Sequence, residues 1–365
     1  MSSTPPELAP LPDEPPPSAL VRRVSHLLET GQLVALPTET VYGLAARADR
    51  PDALARLAAL KGAAESRGWT WHVGTPEALE AFGSLRPLAR RLAQRYWPGP
   101  LTLVLEGVPA GLERVALDGW TGVRLPAHRG TAALLAAVDF PVVMTSANES
   151  GGTPATQAAL LARSFGSALA LVLDGGPSRL GESSAVLRLG RGRFELLREG
   201  LLSVPELRRT AGLSLLFVCT GNTCRSPMAE SLARAELERR LAPPGGELSA
   251  FGFELASAGL FASPGSPASP LAVEVLGANG LTLSEHRSRL LDERTLAGAD
   301  RVYALTHAHL EALAQRAELA PGARLELLDP HGEDIPDPMG GERSDYVAAA
   351  ERITRAIAAR ADEWA

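Results

Sequence analysis

The chain is poor in cysteine, in lysine and in excess positive charge, and it lacks any long apolar run. Its 365 residues include 2 cysteines, Cys219 and Cys224. That excludes a disulfide-stapled secreted scaffold and fits a reducing cytoplasm. Of 36 Lys plus Arg residues only Lys61 is lysine, which leaves 35 arginines. A lysine that survives such a composition bias is a pointer to function. The formal net charge of −6 argues against a protein held to nucleic acid by bulk charge, though not against a local basic groove. No stretch of roughly 18 apolar residues occurs, so no bilayer span is expected. The first 17 residues hold seven prolines, without the basic start and apolar stretch of a secretory signal. Residues 1–17 therefore read as a disordered Pro-rich tail.

At roughly 150 residues per domain the length suggests two domains, and 45% apolar residues can furnish a core in each. From Ser18 onward short β-rich runs alternate with Ala/Leu-rich helical runs. Strands are expected at 33–36, 101–105, 141–145, 170–173 and 194–198, and helices at 21–30, 88–94 and 131–138. Residues 18–203 form one α/β domain and residues 204–212, polar and ending in Ala-Gly, a linker. Residues 213–365 form a second α/β domain opening with a strand at 213–218. Further strands are expected at 301–305 and 324–327, with a last helix at 344–364. Strands alternating with helices favour a parallel sheet here.

The second domain carries Cys219-Thr-Gly-Asn-Thr-Cys-Arg225-Ser226 between a strand and a helix expected to begin at Pro227. A five-residue loop between Cys and Arg can curl its backbone N–H groups around one phosphate, and the helix N-terminus adds positive potential. That field favours the Cys219 thiolate as nucleophile. Arg225 can grip two phosphoryl oxygens. Gly221 permits the tight path, Asn222 and Ser226 can brace it, and Thr220, Thr223 and Cys224 complete the loop. Asp337, in the Pro- and Gly-punctuated stretch 334–341, is the candidate proton donor to the leaving group.

These residues, with Ser257-Ala-Gly259, His286-Arg-Ser288, Ala299-Asp300 and Asp337-Pro338, resemble the low-molecular-weight protein tyrosine phosphatase family. The resemblance spans about residues 213–360 and implies a doubly wound parallel sheet and a cysteine-dependent protein phosphatase that needs no cofactor. The bacterial protein-arginine phosphatases within that family share a Thr at the position of Thr223, where tyrosine-specific members usually carry a larger aliphatic residue. With Met339 in place of an aromatic flank, this favours phosphoarginine over phosphotyrosine. Arsenate reductases of the same fold need further redox cysteines, which this chain lacks outside the loop. Cys224 is either a partner for a protective disulfide with Cys219 or a spectator thiol.

In the first domain the motifs are dispersed. They are Pro37-Thr-Glu-Thr-Val-Tyr-Gly-Leu44, Lys61-Gly62, Trp71-His-Val73, Trp97-Pro-Gly-Pro-Leu-Thr102, Val123-Arg-Leu-Pro126 with His128, Thr145-Ser-Ala-Asn148 through Gly151, Asp174-Gly-Gly176, Ser183-Ser184 and Arg198-Glu-Gly200. Lys61, Arg124 and Arg198 can neutralise a nucleotide's phosphates, and Ser146 and Asn148 just past a strand can bind phosphate or ribose. The ordered set resembles the threonylcarbamoyl-AMP synthase (Sua5/YrdC) family over about residues 18–203. That resemblance implies a YrdC-like α/β domain with a twisted mixed sheet. The implied reaction joins L-threonine, bicarbonate and ATP, with Mg²⁺, to give threonylcarbamoyl-AMP and pyrophosphate for tRNA modification. No resident metal is implied. Lys61, Ser146, Asn148 and Arg198 then face ATP, and Thr40, His72, Arg124, Ser183 and Ser184 face threonine. The implied partners are tRNA-modification transferase proteins, RNA and, for the second domain, phosphorylated proteins; no membrane is among them.

The family's usual arginine two residues after the lysine is absent, since Lys61 is followed by Gly62-Ala63, and the next arginine is Arg67. This keeps open an alternative: a weakened module that only binds nucleotide or RNA, fused to an active phosphatase.

Overall fold

The computed structural model describes residues 6–62, 69–83, 85–148, 152–190, 193–241, 247–316 and 323–365. The chain divides into two compact units, Met1–Leu207 and Arg208–Ala365, with the boundary inside the expected linker.

The first unit is built on a mixed sheet. Its strands in chain order are β1 (Glu7–Pro10), β2 (Val34–Leu36), β3 (Gly43–Arg47), β4 (Thr70–His72), β5 (Leu101–Glu106), β6 (Trp120–Arg124), β7 (Val142–Ser146), β8 (Leu171–Asp174), β9 (Ala185–Gly190) and β10 (Arg193–Arg198). Across the sheet they run β1-β8-β2-β3-β7-β4-β6-β5-β9-β10. The period-two pattern of the strands sorts side chains onto two faces. Leu33, Ala35, Leu44 and Val143 enter one core cluster, whereas Val34, Leu36, Ala45 and Met144 enter the other. The second cluster is closed by the helix Ser18–Glu29, which buries Val24 and Leu28.

Two expectations fail here. The Pro-rich tail is not disordered throughout, because β1 pairs in parallel with β8 and Leu11 is fully buried. Prolines suit this position because β1 lies at the sheet edge, where a missing N–H removes no ladder bond. Asp13 then accepts the Arg129 N–H at 2.6 Å, which fastens the segment to the start of the helix Arg129–Ala137. The expected linker is also a helix, Val204–Ala211. It is short and amphipathic, with Leu207 and Ala211 fully buried, and its charged residues gave it the look of a polar connector.

The second unit has four parallel strands: β11 (Ser214–Cys219), β12 (Glu254–Gly259), β13 (Arg301–Ala304) and β14 (Arg324–Leu327). Their order is β12-β11-β13-β14, with every pair parallel. This is the doubly wound arrangement expected, and its switch point lies beside the C-terminal end of β11. One face packs Leu216, Val218, Val302 and Ala304. On the other, Phe217, Tyr303 and Trp364 form an aromatic cluster with ring centroids 5.5 to 6.4 Å apart. Trp364 donates from Nε1 to Tyr303 Oη at 2.8 Å, anchoring the last helix, Arg343–Trp364.

Candidate functional sites

In the second unit β11 ends at Cys219 and the next helix, Arg225–Leu241, starts at Arg225, two residues before the position expected. The loop between them lies at the switch point. Asn222 takes a left-handed φ of 54°, a conformation Asn tolerates better than most residues. Its side chain fastens it there: Nδ2 donates to Ser226 Oγ and Ser257 Oγ, both at 2.9 Å, and Oδ1 accepts from the Arg289 N–H at 2.8 Å. The Asn222 carbonyl accepts from His286 Nε2 at 2.7 Å. A side chain at Gly259 would put its Cβ 2.6 Å from the Thr220 carbonyl and 2.9 Å from the Asn222 nitrogen, so the loop leans on β12 where only glycine fits.

The Cys219 sulfur is buried. It lies 3.0 Å from Ser226 Oγ and accepts the Asn222 N–H at 3.3 Å. Arg225 is buried, with one guanidinium nitrogen 2.5 Å from Asp337 Oδ2 and the other donating to the Ile335 carbonyl at 3.2 Å. Asp337 is the solvated partner, its side chain 49% exposed against 6% for Arg225. Cys224 is a second free, buried thiol, 3.6 Å from Tyr346 Oη and from Thr223 Oγ1.

A histidine that no motif marked completes this site. Thr306 Oγ1 accepts the His309 N–H at 3.3 Å as the cap of a helix. The same hydroxyl lies 2.9 Å from His309 Nδ1. His309 Nε2 is hydrogen-bonded to Thr220 Oγ1 at 2.9 Å. Burial, and next the Arg225 charge, push His309 down to about 4, so the ring is neutral near pH 7.

In the first unit the sheet also opens into a cavity of about 280 Å³, lined in part by Met144 of the second cluster. Register explains its lining. His72 on β4 lies beside Arg124 on β6. One step along the pleat, Thr70, Gly122, Val104 and Arg188 align across β4, β6, β5 and β9. Trp69, Trp120, Leu117 and Leu197 supply apolar walls, and Ser146, Ser183, Ser184 and Arg198 polar ones.

Arg124 is buried and paired with Glu39, 2.6 Å away and equally buried; it also donates to Thr40 Oγ1 at 2.8 Å and to the Gly99 carbonyl at 3.1 Å. The second Glu39 oxygen accepts the Ala127 N–H at 2.9 Å. His72 donates from Nδ1 to the Thr70 carbonyl at 3.0 Å, which leaves Nε2 as an acceptor. Burial, and next Arg124, push it down to about 3. Arg198 donates to the Ser184 carbonyl and hydroxyl, each at 3.0 Å. Burial and then Arg124 lower its pKa from the ordinary value.

Lys61 ends the helix Pro51–Lys61, which stops at Gly62 in a left-handed conformation. Its ammonium bonds the Ser146 carbonyl at 2.9 Å and the Asn148 carbonyl and Oδ1 at 2.5 and 3.0 Å. The structure thus joins Lys61, Ser146 and Asn148 in one cluster. It joins Thr40, His72 and Arg124 in another, and Ser184 with Arg198 in a third. Arg67 and the stretch 149–151 lie outside the described residues. Glu39 belongs to a recognised motif without a role having been assigned; Trp120, Arg188 and His309 stood in none. Among the described residues no group of three or more His, Cys, Asp or Glu could hold a metal ion.

The Sua5_yciO_yrdC family model, described as telomere recombination, matches residues 26–200. The low molecular weight phosphotyrosine protein phosphatase model matches residues 214–363. The threonylcarbamoyl-AMP synthase of Pyrococcus abyssi is 38% identical over 200 residues, covering 53% of this chain and 57% of the relative. That of Thiobacillus denitrificans is 37% identical over 172 residues, 46% of this chain and 89% of the relative. The protein-arginine-phosphatase of Bacillus subtilis is 37% identical over 134 residues, 34% of this chain and 83% of the relative. The chain therefore spans just over half the length of some curated synthases it matches. A solved structure of P. abyssi Sua5 complexed with L-threonine shares the fold at a TM-score of 0.51 and 24% identity, over 69% of this chain and 92% of that one.

Proposed function

Because the chain belongs to the Sua5/YciO/YrdC family in its first unit and to the low-molecular-weight phosphatase family in its second, we propose that it is a bifunctional enzyme: a threonylcarbamoyl-AMP synthase joined to a cysteine-dependent protein phosphatase.

For the synthase, the carrying observation is one cavity lined by His72, Arg124 and Arg198. L-Threonine binds beside Thr40, His72, Arg124, Ser183 and Ser184. Its neutral amine attacks bicarbonate, and the amine proton leaves with the departing hydroxide as water to give a carbamate, while neutral His72 can accept a hydrogen bond from the amine at Nε2. A carbamate oxygen then attacks the α-phosphorus of ATP and pyrophosphate leaves. Mg²⁺ arrives as the counter-ion of ATP. Arg198 and the Lys61–Ser146–Asn148 cluster neutralise and orient the nucleotide, so catalysis is positioning and charge stabilisation. The product passes to tRNA-modification transferase proteins. A groove that only holds nucleotide or RNA has the missing arginine at position 63 in its favour, but it leaves unexplained the joint presence of the threonine and ATP residues.

For the phosphatase, the carrying observation is the Cys219 sulfur, which accepts the Asn222 N–H and lies against Ser226 Oγ, in a loop that ends at a buried arginine. The thiolate attacks phosphorus, the bond to the leaving group breaks, and Asp337 supplies the leaving group's proton. Water then attacks the phosphocysteine, giving its proton to the Asp337 carboxylate. We place phosphoarginine ahead of phosphotyrosine on the small polar Thr223.

Pyrophosphate release that requires both threonine and bicarbonate is the expected result for the full chain, and release independent of either overturns the synthase. Thr223→Ile should shift preference toward phosphotyrosine peptides by roughly tenfold or more. An unchanged ratio overturns the phosphoarginine assignment and leaves the phosphatase intact.

A further inference from the structure

Three guanidinium groups line the cavity of the first unit, and they are not equally engaged. Arg124 is neutralised by buried Glu39, and Arg198 is tied to Ser184. Arg188, on β9, has one long bond of 3.4 Å to Glu195, whose side chain is 50% exposed. Its Nε is buried and meets no acceptor among the described residues. The side chain as a whole is 26% exposed and paired, but a buried N–H of a charged group left without an acceptor is costly, and an anion would satisfy it. The guanidinium also lies over the Trp120 ring, 5.5 Å from Cζ to the centroid. That contact places the guanidinium against the ring and leaves its N–H groups as donors.

Register decides which anion. Arg188 stands opposite Val104, in line with Gly122 and Thr70, where the row narrows to a glycine and leaves room. The His72–Arg124 row, proposed for threonine, is one pleat repeat away, roughly 7 Å.

We propose that Arg188 is a further binding residue of this site and pairs with the phosphates of the nucleotide. The inference rests on the reading of the first unit as an ATP-using synthase. It assigns to Arg188 a part of the electrostatic grip that no sequence motif marks.

Binding of ATP, ADP and AMP to the full chain, measured by calorimetry at fixed ionic strength, tests it. Arg188→Gln should weaken ATP roughly tenfold, ADP less and AMP least, while leaving the KM for threonine unchanged. Arg188→Lys should recover part of the loss. Glu195→Gln, which frees the same guanidinium, should bind ATP at least as tightly as the parent. If Glu195→Gln weakens ATP as Arg188→Gln does, the pair is structural and the inference fails. Equal losses for ATP and AMP, or none at all, also overturn it. A parent chain that binds no adenine nucleotide overturns instead the synthase reading on which it rests.

Discussion

Both sites hold an arginine against a carboxylate, and the two pairs differ in one respect. Arg124 and Glu39 are buried alike, at 6% and 4% exposure, whereas Asp337 opposite Arg225 is half exposed. A pair buried on both sides is fixed architecture, because removing either partner strands a charge in low dielectric. A pair with one solvated partner can open. The first unit therefore uses its carboxylate to hold a cation still, and the second can release its carboxylate to move a proton.

Four changes would break or sharpen that contrast. Cys219→Ser should reduce phosphate release from phosphoarginine and phosphotyrosine peptides to background. Pyrophosphate release should not change, because no residue of the loop lines the first unit's cavity; a matching loss there would mean the sites are not separate. Asp337→Asn should lower phosphatase kcat by about 10²- to 10⁴-fold. The loss should be greater for phosphoarginine, whose leaving nitrogen is the more basic, and equal losses would argue against Asp337 as the acid. Glu39→Gln should destabilise the first unit by about 3–5 kcal/mol. Denaturation followed by tryptophan fluorescence reads this, since four of the five tryptophans, Trp69, Trp71, Trp97 and Trp120, lie in that unit. An unchanged midpoint would remove the architectural role.

The smallest effect is set by pH. His309 is held down to about 4 in the folded chain, so the unfolded chain takes the proton first. The stabilisation is fully present above the ordinary histidine value and is lost as pH falls from there toward 4. At pH 5 the loss from this one group is about 2 kcal/mol. His309→Gln should flatten the second unit's stability between pH 7 and pH 5 by that amount. The first unit, where His72 is held down to about 3, should keep its slope.

The second site was readable because its chemistry is contiguous. Cys219, Asn222, Arg225 and Ser226 fall within eight residues, and strand, loop and helix follow in order. The first site is assembled by strand register across a mixed sheet. Position along the chain therefore says little about which side chains meet. Arg188 reads as one more exposed arginine on an alternating strand until β5 and β9 are paired. His309 reads as a helix residue until its cap places it against Thr220. The misread N-terminal segment and linker have a common cause: proline and charge signal irregular chain, but at a sheet edge or on the outer face of a short helix they cost little.

Arg225 and Asp337 also bear on what can enter the loop. An anion that binds there must take the place of a carboxylate already bonded to the arginine. A phosphoryl dianion brings two charges and several oxygens to the exchange, whereas chloride or bicarbonate brings only one charge. The resting ion pair thus acts as an affinity threshold. Monovalent anions, among them the one proposed as a substrate of the same chain's other unit, are therefore expected to compete poorly for the loop.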